Sequence, residues 1–300
     1  MEFTVNLRKI LIVIIKEEKY KMIEDFALII GGMKCGTTSL FNYLVQHPQI
    51  SGCIHKEPCF FSVHKNWNQG FEWYQKLWEW DKNHHQVALE SSTSYTRIPA
   101  YLNAAEKIAQ TKANFKFIYI MRDPIKRIES HYNFSLALGH PETYQPISMG
   151  IDQRLIDTSK YAKQIREYYN RFSSNDILLL QFEDLKDNRL TLINQIIKFL
   201  NLDPYNHFQD IDNVHNMTKG MIGYDPIWRS LRRIKILYSV AQLIPTNQKD
   251  NLHSIFGKKV KGDFKLSAEQ KEQIMNELRE DLKELKFEYG VDVSKWNLQI

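Results

Sequence analysis

A run of five apolar residues, Phe26-Ala-Leu-Ile-Ile30, leads straight into Gly31-Gly-Met-Lys-Cys-Gly-Thr-Thr-Ser39, and Thr38 to Gln46 follow with helical spacing of Leu40, Tyr43 and Leu44. This succession of strand, glycine-bounded turn and helix constrains the fold more than any other feature. A strand apolar on both sides needs cover on both faces, which is the situation of an interior strand in a parallel sheet. A turn of this kind aims successive backbone N–H groups, and the positive end of the following helix, at one point where an anion is stabilised.

The same unit recurs along the chain. Gln86–Glu90 precedes helical spacing near Ala100–Gln110, Phe115–Met121 precedes a helix near Pro124–Leu138, and Ile177–Phe182 precedes one near Asn188–Leu200. Strands alternating with helices of this length predict right-handed crossovers and an α/β fold, a P-loop-like central parallel sheet flanked by helices. From Gly139 to Thr158 the pattern lapses into a long loop or flap. The last third reads as helical: Ile227–Leu243 is apolar with interspersed Arg and Lys, and Ser267-Ala-Glu-Gln270 is a capping box. The helix it opens carries Ile274, Leu278, Leu282 and Leu285 on one face and stops near Gly290. Residues 1–24 carry no clear assignment, and residues 25–300 are expected to form a single domain. With 43% hydrophobic residues in 300, the chain has enough apolar surface for a core, and disordered or low-complexity readings fall.

Its longest apolar stretch, Ile10–Ile15, is far shorter than the roughly 20 residues a membrane-spanning helix needs. Three cysteines are too few for a disulfide framework and suit a reducing compartment. The expectation is a soluble cytoplasmic protein with no transmembrane segment. A net charge of +5 is compatible with an anionic ligand but equally with an ordinary basic surface, and no nucleic-acid partner is expected.

Aligned on Gly31 and Gly36, the loop reads G-x-x-x-x-G-T-T. A nucleotide triphosphatase would carry Lys where Thr37 stands, with a hydroxyl on Mg²⁺ after it. Here the lysine comes three residues earlier, at Lys34. The cradle is kept and its cation is moved, which points to a related anion whose reacting group sits elsewhere.

Lys34-Cys-Gly-Thr-Thr-Ser39 after a buried strand resembles the 5′-phosphosulfate loop of the sulfotransferases that use 3′-phosphoadenosine 5′-phosphosulfate (PAPS). That family's second signature is an arginine at the end of a later strand followed eight residues on by a helical serine. Met121-Arg-Asp-Pro-Ile-Lys-Arg-Ile-Glu-Ser-His-Tyr132 supplies Arg122 and Ser130 at that spacing. Lys56-Glu-Pro-Cys-Phe-Phe61 and Glu90-Ser-Ser-Thr-Ser-Tyr95 resemble segments of the heparan sulfate branch. Ser159-Lys-Tyr161, Phe182–Leu185, Phe199–Leu202 and Lys219-Gly220 resemble later landmarks, although Phe182–Leu185 and Phe199–Leu202 also read simply as apolar ends of a strand and a helix.

The resemblance implies sulfuryl transfer from PAPS to a hydroxyl or amino group of a carbohydrate or other small acceptor. It implies a cofactor site of Lys34, Cys35, Gly36, Thr37, Thr38, Ser39, Arg122, Ser130, Tyr161, Lys219 and Gly220, with no metal. Lys34 and Glu57 are the implied catalytic residues, Glu57 as general base. The heparan sulfate enzymes commonly carry His two residues after that Glu and Asp after the two Phe, where this chain has Cys59 and Ser62. His55 and His64 flank the segment and stay open as alternative bases. A P-loop nucleotide kinase and a non-catalytic nucleotide-binding protein on the same fold are the competing functions.

Cys35, beside Lys34 and close to a helix N-terminus, reads as an activated thiol or as a small residue that fits a tight turn. The cluster Trp67, Phe71, Trp73, Tyr74, Trp78 and Trp80 could stack on an acceptor, or pack an amphipathic segment against the sheet. His84-His85 has no Cys or His partner at ligand spacing, so a metal there is discounted.

Overall fold

The computed structural model describes residues 23–138, 140, 143, 147, 150–209, 222–224, 257–259 and 264–298. Five strands, β1 (Asp25–Gly31), β2 (Ile50–Gly52), β3 (Val87–Glu90), β4 (Asn114–Met121) and β5 (Ile177–Gln181), form one sheet in the order β2-β3-β1-β4-β5. Every pairing in it is parallel. A separate antiparallel pair joins Ile222–Tyr224 to Gly257–Lys259.

The period of the central strands divides the core by chemistry. Phe26, Leu28 and Ile30 of β1 and Phe115, Phe117, Tyr119 and Met121 of β4 face one side, whereas Ala27, Ile29, Ile118 and Ile120 face the other. The first side is aromatic. Phe26 packs on Tyr74 with ring centroids 5.5 Å apart, and Tyr74 on Phe60 at 4.6 Å. Trp67, Phe71, Trp73 and Trp80 pack around this cluster and Trp78 lies inside it, so packing accounts for the aromatic run. The second side is aliphatic, built from Leu40 and Leu44 of α1 (Thr37–Leu44) and Ile193 and Ile196 of a later helix.

Over the two faces of the sheet the helices α2 (Ala104–Ala109), α3 (Pro124–Leu138), α4 (Tyr161–Tyr169), α5 (Phe182–Asp187), α6 (Arg189–Phe199) and α7 (Ala268–Phe287) complete the α/β architecture. The capping box at α7 is present in both directions, and Ile274, Leu278, Leu282 and Leu285 are fully buried. At roughly 1.5–3 kcal/mol for each such side chain, α7 is an integral wall of the core. Asp281 on its inner face accepts the N–H groups of Ala162 and Lys163, which ties α7 to the start of α4.

Several elements depart from the sequence expectation. The strand β2 is only three residues long and gives no alternation to read. Helix α4 was not expected, because its inward Tyr161, Gln164 and Tyr168 look polar until the sheet covers them. Gln153–Asp157, within the expected loop, forms a helical turn capped by Asp152. The helix expected from Ala100 starts only at Ala104, after Asn103 in a left-handed conformation. Phe182 opens α5 rather than ending β5. Ile227–Leu243 lies outside the described residues. Among the described residues no helix is long and apolar enough to cross a membrane.

Candidate active site

The chain leaves β1 toward β2 and β3 on one side and later passes to β4 on the other, so the carboxyl end of β1 lies where the connections diverge. The Gly31–Ser39 loop sits at that point. Gly32 donates its N–H to the Ile120 carbonyl at 2.6 Å, which pins the loop to β4. Gly36 precedes α1 with φ of 88°, and a Cβ there would lie 2.8 Å from the Phe182 ring, so only glycine fits. Among the described residues no side chain caps α1, and its first N–H groups, from Thr37 onward, keep the donor character of a bare helix terminus. Thr37 is buried, whereas Thr38 and Ser39 are partly open.

Lys34 is half-buried, with Nζ 4.1 Å from the centre of the Phe134 ring. Burial, and after it the charge of Arg122, lowers its ammonium to about 8. Arg122, at the end of β4, donates to the Lys34 carbonyl at 3.4 Å and lies 4.7 Å over the Phe182 ring. Its Nε is buried with no partner among the described residues, a donor available to an anion. Asp123 accepts the N–H groups of Ile125 and Lys126 and so caps α3, with Pro124 at its first position. This cap aims α3 so that Ser130 lines the same cavity as Arg122, about 590 Å³ in volume and also bordered by Lys126, Asn133, Lys265 and Lys271. Arg122 and Ser130, expected to act together, are therefore together.

Two of the expected cofactor residues play other parts. The Cys35 thiol is fully buried and burial pushes it up to about 11, so the activated-thiol expectation is wrong; its N–H is also taken, by the Gly32 carbonyl at 3.1 Å. Tyr161 is fully buried as well, and its hydroxyl donates to the Arg122 carbonyl at 2.7 Å, supporting the site from beneath. Lys219 and Gly220 lie outside the described residues.

One contributor went unnoticed in the sequence. Arg127 is fully buried under the loop, donating to Ser159 Oγ at 2.6 Å, to the Met33 carbonyl at 3.5 Å and to the Leu155 carbonyl. Its only signal was a second arginine five residues after Arg122, on a helix face that sequence periodicity does not orient.

The Lys56–Ser62 segment runs beside the Glu90–Thr96 segment at the end of β3. Phe60 and Phe61 are fully buried anchors, while the Glu57 side chain is 39% exposed. Its carboxylate accepts from Lys56 Nζ at 2.9 Å and from Thr93 Oγ1 at 3.2 Å. His55 and His64 are both exposed, and His64 Nδ1 lies 3.1 Å from Asn68 Nδ2. His84 pairs with Asp81 at 2.7 Å. The carboxylate that is enclosed is Glu90, which burial pushes up to about 7.

The model of the sulfotransferase domain matches residues 24–219, a span that holds the loop, Arg122, Ser130 and both facing segments. The chain belongs to the sulfotransferase family. Among curated sulfotransferases, it is 25% identical over 202 residues to the bifunctional heparan sulfate N-deacetylase/N-sulfotransferase 4 of Mus musculus, covering 61% of this chain and 23% of that protein. It is 28% identical over 207 residues to the heparan sulfate glucosamine 3-O-sulfotransferase 3A1 of Mus musculus, covering 65% of this chain and 49% of that one. A 111-residue match at 36% identity relates it to the membrane-associated sulfotransferase kil1 of Dictyostelium discoideum, over 36% of this chain and 22% of that protein. The chain thus spans between about a quarter and a half of the curated relatives' lengths. A sulfotransferase of Alicyclobacillus acidocaldarius shares the fold, with a TM-score of 0.60 at 17% identity over 92% of this chain and all of that one.

Proposed function

We propose that this sulfotransferase transfers a sulfuryl group from PAPS to a hydroxyl or amino group of a carbohydrate acceptor. The observation that carries the reading is the convergence, at the carboxyl end of β1 and β4, of Lys34, the start of α1 and the Nε of Arg122, the last two without a side-chain partner among the described residues. These donors suit a nucleotide with two separate anionic ends. PAPS, when bound, supplies the sulfuryl group and an anionic leaving nucleotide. Lys34 and the N–H groups of Thr37, Thr38 and Ser39 hold the 5′ end and meet the negative charge that develops there, with the Thr38 and Ser39 hydroxyls as further donors. Arg122 and Ser130 hold the 3′-phosphate, Arg122 through its planar fork and Ser130 through its hydroxyl, with Lys219-Gly220 assigned to the same end. Cys35 and Tyr161 contribute shape and support rather than contacts.

Glu57 takes the acceptor proton in this reading. It is a carboxylate within reach of solvent and already held by Lys56 and Thr93, whereas His55 and His64 have no comparable anchoring among the described residues. The carbohydrate class of acceptor is carried over from relatives that are named for heparan sulfate. A cytoplasmic setting belongs to the same reading, supported by three cysteines that all remain free thiols.

Thermal unfolding with added nucleotide tests the proposal. Adenosine 3′,5′-bisphosphate should raise the midpoint by several degrees, as binding at about 100 times Kd contributes about 2.7 kcal/mol. ATP with Mg²⁺ should do much less. The opposite order would overturn the reading in favour of a kinase-like site.

A further inference from the structure

Glu90 closes β3 with its side chain wholly inside the protein, and the groups that meet its carboxylate are hydroxyls. Tyr74 and Tyr95 donate to Oε1 at 2.6 and 2.8 Å, and Ser92 donates to Oε2 at 2.5 Å. In its ionised form the carboxylate only accepts, so each of these hydroxyls then gives its single proton to Glu90. The lone pairs of Ser92 and Tyr95 are then left to accept, and they face the segment that carries Glu57. Ser92 Oγ accepts the Cys59 N–H at 3.0 Å and Tyr95 Oη accepts the Phe61 N–H at 3.4 Å. Cys59 has a φ of 51°, unusual for a residue with a side chain, and so needs such support. The two segments are joined further by Ser91 N–H to the Lys56 carbonyl at 2.9 Å and by the Ser62 and Ser94 hydroxyls at 2.6 Å.

We propose that Glu90 is a positioning residue for Glu57: by orienting the Ser92 and Tyr95 hydroxyls it holds the Lys56–Ser62 turn in the one conformation that presents Glu57 to the acceptor. This rests on Glu57 being the base. Burial raises the Glu90 acid well above an ordinary glutamate, a cost that the three hydroxyls offset and that a packing role alone would not require. Glutamine cannot replace it. Its amide has one acceptor oxygen and one donor nitrogen, so either Ser92 or the tyrosine pair meets a donor instead of an acceptor, and the hydroxyl that does so loses the partner that fixes its proton.

The test uses E90Q, with S92A as the variant that leaves the carboxylate in place, each made alone and together with E57Q. Amide hydrogen exchange of residues 56–62 is read beside turnover of PAPS with fully desulfated heparan as acceptor. E90Q and S92A should each speed exchange in 56–62 by about tenfold, lower kcat by about tenfold and leave KM for PAPS unchanged. In the E57Q background the same changes should no longer lower kcat, because the group they position is gone. Unchanged exchange in both variants overturns the inference, as does an equal loss of kcat with and without Glu57. If E57Q alone keeps wild-type kcat, the base assignment falls and the presentation of a base by Glu90 falls with it; loss in E57Q with none in S92A or E90Q overturns the positioning role alone.

Discussion

The proposed nucleotide half and the proposed acceptor half of the site are built in opposite ways. The nucleotide half is centred on a short contiguous loop, Gly31–Ser39, whose backbone N–H groups and Lys34 are backed by Arg122 and Arg127. The acceptor half is assembled from three separate pieces, around Glu57, Tyr74 and Glu90, and is organised by hydroxyls around a buried carboxylate. One half concentrates positive charge for an anion. The other orders one carboxylate, Glu57, whose oxygens stay accessible. Substitutions in the first half should act through charge and those in the second through orientation.

The largest break in that comparison is expected at Lys34. Lys34→Ala removes the cation at the developing charge and should lower kcat by about 10²-fold or more, with the unfolding midpoint nearly unchanged. A rate assay beside a melting curve checks this, and near wild-type turnover would remove the loop from the chemistry.

Arg122→Ala should come next. It should weaken adenosine 3′,5′-bisphosphate by about 1.5–3 kcal/mol, the worth of a charge-assisted hydrogen bond, and AMP far less. Calorimetric titration of both nucleotides reads the difference, and equal losses would move Arg122 away from the 3′-phosphate.

The pH dependence of nucleotide binding gives a smaller effect. Burial and Arg122 depress the Lys34 ammonium to about 8, so in the free protein it is charged below that pH and loses its proton as pH rises through it. An anion prefers the charged form, hence affinity for adenosine 3′,5′-bisphosphate should fall between pH 7 and 9. In Lys34→Arg, which stays charged, that fall should disappear.

No effect at all is the expectation for Cys35. Its thiol is buried and raised to about 11, so iodoacetamide at pH 8 should leave it unmodified with or without nucleotide, as read by mass spectrometry. Rapid labelling that nucleotide prevents would mean that the loop opens to expose it.

What the sequence determined by itself was carried by contiguous spacing. The apolar run before Gly31, the position of Lys34 relative to Gly36, the eight residues from Arg122 to Ser130 and the box at Ser267 each specify local geometry through backbone period, and the parallel sheet follows from their alternation. Tertiary structure alone decided which polar side chains lie inside. Tyr161 and Cys35 sit in motif segments but turn inward because α4 and β4 close over them, and Arg127 becomes a support of the loop only because α3 crosses beneath Met33. Glu90 is the clearest case. A glutamate ending an apolar strand reads as the strand's solvent edge, and only the return of Tyr74 and Tyr95 across it makes it the hub of a buried cluster of hydroxyls. Periodicity reports which face of an element is apolar, whereas the partners of a polar atom depend on segments distant in sequence, so local spacing cannot name them.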